Sequence, residues 1–174
     1  LACGAAVSRF TPLPVHTVRG QVSIVQETPA SQNLRSILCY GGYIAPTRGG
    51  RHVLGATFQK WLTHTDVVAE DHVYNLNMLQ QTIPALSFDE SHIKDGRAAL
   101  RTAAKDRFPI IGEVGNGIYV STAHGSHGII STLAGAVLIA DMITDAPYSL
   151  SRPVIERLSP RRFHSKIEAH NQGD

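Results

Sequence analysis

Cysteine, charge and long apolar runs are all scarce in this sequence. Cys3 and Cys39 are the only two cysteines, stand far apart and form no CxxC, so neither a disulfide framework nor a cysteine-based zinc site is expected. That usage fits a reducing, cytoplasmic compartment. Charged residues make up 17%, against roughly 25% in an average soluble domain. The 16 Lys+Arg and 14 Asp+Glu leave a formal net charge of +2, which excludes a strongly basic nucleic-acid tail. No uncharged apolar run reaches the roughly 18–20 residues of a membrane span, so no membrane partner is expected. The opening residues lack the charged and apolar regions of a signal peptide. P-loop, HExxH and GxGxxG motifs are all missing, as are repeats and low-complexity stretches.

What is present is enough for a core. The 174 residues are 43% apolar, too many for disorder and sufficient for one domain or one and a half. The chain opens Leu1-Ala2-Cys3-Gly4-Ala5-Ala6, apolar from its first residue, which reads as the end of a buried strand belonging to something longer. Residues 164–174 are polar and read as a loose tail.

The periodicity predicts an α+β fold. Val15, Thr17, Val18, Val22, Ile24 and Val25 are β-branched and predict a long strand over 12–28, bent or bulged at Gly20. Residues 36–46 predict strand, Gly41-Gly42 turn, strand; Thr47 to Gly50 is a turn, and His52 to Phe58 returns as a strand. Together these suggest an antiparallel meander. Val73, Leu76, Leu79 and Ile83 recur at helical spacing within 70–86, and Pro84 ends that helix. Strands are predicted at 97–104, 110–112 and 117–122, with a turn at Asp106 to Pro109. The helix predicted over 129–143 has apolar residues nearly all round, which predicts a buried helix. Ser151 would cap a short helix opening at Arg152-Pro153.

Three constellations carry chemistry. Gly125-Ser126-His127-Gly128 runs from a strand into the 129–143 helix, presenting unpaired N–H groups and the positive end of the dipole. A phosphate or a flavin edge suits such an end; a tight turn with no ligand is the alternative. His124 and His127 are three apart, but a metal site needs a third ligand that no spacing supplies, so no metal is expected. The other histidines (16, 52, 64, 72, 92, 164, 170) read mostly as surface residues. Arg101 stands in the small, apolar stretch 98–104, where an arginine either binds a carboxylate or phosphate or forms an ion pair with an Asp or Glu such as Asp106. Arg157, Arg161, Arg162, His164 and Lys166 form a basic cluster, either solvated or phosphate-facing.

These residues, in this order, resemble the C-terminal half of the D-amino-acid-oxidase-like FAD-dependent oxidoreductases. Leu1 to Ala5 resembles the turn that closes the family's FAD-domain sheet, and Val18 to Val22 the entry to its substrate domain. Arg101 with Asp106-Arg107-Phe108-Pro109-Ile110-Ile111-Gly112 resembles an Arg…Asp-x-x-Pro-x-x-Gly signature. His124 to Gly128 resembles the loop that returns to the flavin. Leu38 to Pro46, His52 to Phe58 and Leu158 to Phe163 are most similar to a tRNA-modifying branch, whose oxidoreductase is the C-terminal domain of a bifunctional enzyme acting on the wobble uridine.

The resemblance implies a division: 1–12 as a remnant of the Rossmann-like FAD-binding domain's sheet, 13–100 as a mostly antiparallel substrate domain, and 101–163 as a FAD-contacting segment. It implies FAD as cofactor and tRNA as substrate, with oxidative removal of a carboxymethyl group from carboxymethylaminomethyl-uridine. Arg101 would bind the substrate carboxylate; Tyr43 and Gln21 would line the pocket. Gly4, Gly125, Ser126, His127, Gly128 and Ile129 would face FAD. Because the family's GxGxxG is absent, the chain is expected to be a fragment that binds FAD weakly and is inactive alone, with an exposed sheet edge open to dimerisation. A small-amine oxidase of the same family and a non-catalytic binding module are the alternatives.

Overall fold

The β-branched run produces the first long strand. In the computed structural model, which describes residues 1–163, β1 spans Val15–Gln26. Residues Val18 through Gln21 are buried in succession, so both faces of this strand are covered and its polar members must be satisfied internally. The meander follows as β2 (Leu38–Cys39), β3 (Tyr43–Ile44) and β4 (Arg51–Gly55), shorter than the periodicity predicts. With β5 (Ile93–Ala104) they form a five-stranded sheet ordered β2-β3-β4-β1-β5. β4 lies antiparallel to β1, with Val22 opposite Gly55 and Gln26 opposite Arg51. Gly41-Gly42 makes the β2–β3 turn. Gly41 has φ +102°, and a Cβ on Gly42 would stand 2.6 Å from the Gly55 carbonyl oxygen, so the hairpin sits on β4 only because Gly42 lacks one.

The chain divides into two compact units, Val18–Leu100 and Leu1–Thr17 with Arg101–Asp174. In the first, α1 (Ala69–Thr82) ends just before Pro84. Leu76 and Leu79 join Val25, Ile44, Leu54, Leu86 and Phe88 in the core. The helix is less simply amphipathic than its spacing suggests. Val73 is exposed, while Asp71, His72 and Asn75 are buried. Two histidines read as surface residues are also buried, His52 and His72. His52 bonds the Ala45 carbonyl and the Ser31 hydroxyl, and His72 bonds the Ser23 hydroxyl.

The second unit is built on a hairpin, β6 (Ile110–Gly115) and β7 (Ile118–Thr122). Asn116 and Gly117 turn it at φ +53° and +72°, the twist that suits a two-residue hairpin loop. Strand alternation sends Ile110 into a cluster with Val7, Ala104, Val120, Ala123 and Phe163. Ile111 joins Leu138 and Leu158 in another, packed by α2 (Gly128–Thr144) and α3 (Arg152–Leu158). Residues 1–12 contain a 3-10 turn over Gly4–Arg9 rather than a strand; ahead of it, the Leu1 carbonyl accepts from Ser121 N–H of β7 at 3.0 Å.

The expectation of a buried 129–143 helix is overturned. Gly135 and Leu138 alone are fully buried in α2, whereas Ile129, Ile130, Leu133, Val137 and Ile143 are exposed. Sequence hydrophobicity reports what a surface prefers, not which partner covers it. Ser151 does occupy the α3 N-cap, but its side chain makes no capping bond. His164 and Lys166 of the basic cluster, and the tail, lie outside the described residues.

Candidate functional site

Three stretches that are far apart in sequence meet at the start of α2, all within the second unit. Ala103 near the end of β5 bridges His124. Gly125 N–H donates to the Thr102 carbonyl at 2.9 Å. Thr122 Oγ1 donates to the Gly4 carbonyl at 3.2 Å. Gly4 has φ +56°, and a Cβ there would stand 3.3 Å from Thr102 Oγ1. The fold therefore gathers Gly4, Thr102–Ala103 of β5 and the turn at His124–Gly125. Alternation along β5 places Arg101 on the face opposite Thr102. Arg101 itself is half-buried.

The ion-pair alternative with Asp106 is taken by another arginine. Arg162 donates through Nε and Nη2 to the two carboxylate oxygens of Asp106, at 2.8 and 3.2 Å. Burial pushes the Asp106 carboxyl upward, but the bonds from Arg162 and Phe108 N–H win and hold it below the usual range. Arg157 lies over the Phe108 ring at 4.2 Å. Two members of the basic cluster are thus committed inside the unit.

The loop is tightly wound around His124. Ala123 and Gly125 flank it at φ +58° and +57°, and a left-handed alanine is held only where the surroundings enforce it. The ring bridges β7 to α2, bonding Ser121 Oγ at 3.0 Å and Ser131 Oγ at 2.8 Å. Burial lowers its pKa, so it is neutral at pH 7, one nitrogen donating and the other accepting. His124 is a brace. His127 is the N-cap of α2 without a side-chain capping bond, and no acidic residue lies in the first turn. Among the described residues no group of three or more His, Cys, Asp or Glu is placed to hold a metal ion.

This end of α2 fits a flavin, the group that the resemblance implies. Its dipole is uncompensated, a Cβ on Gly125 would meet nothing within 4 Å, and Ile129 and Ile130 are 90% and 77% exposed. Open backbone, free N–H groups and apolar surface side by side suit a flat ring with an electron-rich edge. Nothing in the sequence offers a GxGxxG cradle for a dinucleotide's phosphates.

Tyr43 and Gln21 belong to the other unit. Tyr43 is half-buried on β3, where its carbonyl accepts from Tyr40 Oη. Burial, then the neighbouring Tyr43, pushes the Tyr40 phenol well above its ordinary value. Gln21 is fully buried and its amide is consumed: it donates to the Val68 carbonyl and accepts from Val68 N–H and Arg19. These bonds fix its side chain within its own unit. The polar centre it serves escaped the sequence reading. Arg19, fully buried, bonds Asp71, Gln59, Gln21 and the Asp66 carbonyl. The argument applied to Arg101, a lone arginine in an apolar strand, would have flagged Arg19 equally.

The family described as DAO, FAD dependent oxidoreductase, matches residues 1–142. The "tRNA 5-methylaminomethyl-2-thiouridine biosynthesis bifunctional protein MnmC" of Idiomarina loihiensis is 34% identical over 160 residues, covering 92% of this chain and 26% of that protein. Its namesake in Nitrosospira multiformis is 35% identical over 159 residues, covering 86% of this chain and 26% of its own. The chain thus spans about a quarter of the length of these curated relatives. Among solved structures, iminodiacetate oxidase from Chelativorans sp. BNC1 shares the fold at TM-score 0.77 and 20% identity, over 91% of this chain and 44% of that one. Glycine oxidase from Geobacillus kaustophilus does so at TM-score 0.73 and 22% identity, over 88% and 41%.

Proposed function

The chain belongs to the FAD-dependent oxidoreductase family, and from that membership we propose that it supplies the substrate-side and flavin-facing elements of an enzyme that removes the carboxymethyl group from carboxymethylaminomethyl-uridine at the tRNA wobble position. The observation that carries the reading is the convergence of Gly4, Thr102 beside Arg101, and the 124–129 loop at one helix end. The curated relatives named for tRNA thiouridine biosynthesis support this choice of substrate.

The residues divide the work. Arg101 holds the carboxylate of the carboxymethyl group through paired N–H donors, fixing which C–H bond is presented. Gly4, Gly125, Ser126, His127, Gly128 and Ile129 hold the cofactor, with the N–H groups opening α2 set against its electron-rich edge. When bound, FAD supplies the two-electron acceptance that turns the substrate's secondary amine into an imine. Water then cleaves the imine, giving glyoxylate and leaving aminomethyluridine on the RNA. Tyr43 contributes to the substrate-facing surface of its own unit. His124, neutral and fully bonded, keeps the loop in place and moves no proton.

Incubating the FAD-loaded enzyme with tRNA carrying the carboxymethylaminomethyl group, beside free glycine and sarcosine, tests the reading. Loss of the carboxymethyl mass from the nucleoside, with stoichiometric glyoxylate, is expected. Turnover of the free amines with the tRNA untouched would overturn it in favour of a small-amine oxidase.

A further inference from the structure

A second concavity lies in the unit formed by Leu1–Thr17 and Arg101–Asp174, lined by residues the proposed reaction does not use. It holds about 270 Å³ between the β6–β7 hairpin, the end of α2 and α3, and its walls include Gly112, Glu113, Tyr119, Tyr148, Ser159 and Arg161. Ligand sites often combine ring-bearing walls with a few polar groups, and this one falls just under their usual volume, which suits a small flat group.

Its chemistry is specific because its neighbours are spent and its own groups are not. Arg162 is held by Asp106, Arg157 lies on Phe108, and Arg152 is paired with Glu156 at 2.9 Å. The guanidinium of Arg161 has no partner among the described residues; its backbone N–H is taken by Ser159 Oγ at 3.2 Å, which fixes where the side chain starts. Tyr148 is 56% exposed, and neither its hydroxyl nor that of Tyr119 has a partner among the described residues. The loop carrying Tyr148 is pinned, since Ser149 N–H donates to Asp141 Oδ2 at 2.8 Å and Asp145 closes α2 at φ +53°. Glu113 spends one carboxylate oxygen on Gly117 N–H at 3.1 Å and keeps the other. Gly112 also lines the cavity, and a Cβ there would stand 3.1 Å from Pro160 Cδ.

A free carboxylate in the wall repels a phosphate from the cavity and accepts from ring N–H or amino donors. Aromatic walls receive a flat π-face, and the unpaired Arg161 guanidinium meets an anion. A nucleotide combines these three features: a base with N–H donors, a flat π-face and a phosphate. We propose that this cavity takes one unstacked nucleotide of the RNA substrate, with the base against Tyr148 and Tyr119, its N–H edge on Glu113 and its phosphate on Arg161. The source of the nucleotide rests on the proposed tRNA substrate; the cavity's chemistry does not.

The test uses the FAD-loaded enzyme to which this chain contributes. Its affinity for short single-stranded RNA and for unmodified tRNA is measured for the wild type and for Tyr148→Ala, Tyr148→Phe, Arg161→Gln and Glu113→Gln. Tyr148→Ala is expected to weaken single-strand binding about ten-fold or more, with Tyr148→Phe restoring most of it, since a base stacks on either ring. Arg161→Gln is expected to weaken it and to flatten its salt dependence. Release of glyoxylate from modified tRNA is followed in parallel and reports on the proposed reaction. Modified tRNA oxidised while all four variants bind RNA like the wild type would overturn the nucleotide site and leave the reaction standing. Variants that lose RNA binding in an enzyme that leaves modified tRNA unoxidised would support the site and overturn the reaction. No RNA binding by the wild type, or wild-type-level binding by Tyr148→Ala, overturns the site.

Discussion

At Arg19 one guanidinium is surrounded by oxygen acceptors and sealed from water. Removing one partner of a buried ion pair leaves the other charge uncompensated, which costs about 3–5 kcal/mol. Asp71→Asn is therefore expected to lower unfolding stability by about that amount in a denaturant titration. A loss below about 1 kcal/mol would mean that Gln59, Gln21 and the Asp66 carbonyl satisfy Arg19 without it. His124 gives a pH dependence. Burial puts its folded pKa below the unfolded value near 6.5, so the unfolded chain binds the extra proton first. Stability from this residue is complete above about pH 6.5 and falls as pH drops through that value towards the folded pKa. Asp106 behaves as a carboxylate held low: its contribution is present above the unfolded value and is lost as pH falls through the folded one. Replacing His124 by Gln is expected to flatten the stability profile between about pH 5 and 7; an unchanged slope would place the titration elsewhere. The sequence marked Arg101 because a charge in an apolar strand demands an explanation. Arg19, His52 and His72 made the same demand unnoticed, because their partners come from segments about 20 to 50 residues away.

Elements were legible where the period was clean. α1 ends where Pro84 says it should, and the β2–β3 turn falls on Gly41-Gly42. Burial was not legible for α2, because an apolar residue carries no label for the surface that covers it. Two leucines on that helix test the assignment of faces. Leu138 is fully buried, and Leu138→Ala is expected to cost about 2–5 kcal/mol. Leu133 is 71% exposed, and Leu133→Ser is expected to change stability by less than about 0.5 kcal/mol. Equal losses would mean that the helix presents a different face. The hairpin contact is as exacting: Gly42→Ala puts a Cβ 2.6 Å from backbone oxygen, so β3 must pull away from β4. A fall in thermal midpoint of several degrees is expected.

At the scale of the whole molecule, the functional reading joins family membership to one local convergence. The family carries FAD, and the chain brings Gly4, the Arg101 segment and the α2 loop together without containing a GxGxxG. Substrate and cofactor roles are assigned to different residues of that cluster, so they separate by mutation. The measurement that tests this most directly compares Arg101→Lys with Gly125→Val in the FAD-loaded enzyme, reading flavin content and the tRNA KM together. Lysine cannot reproduce paired donors, so Arg101→Lys is expected to keep its flavin and raise KM about ten- to hundred-fold. Gly125→Val places a branched side chain at φ +57° and is expected to lose flavin. An Arg101→Lys enzyme with unchanged KM, or a Gly125→Val enzyme with full flavin, would contradict the account.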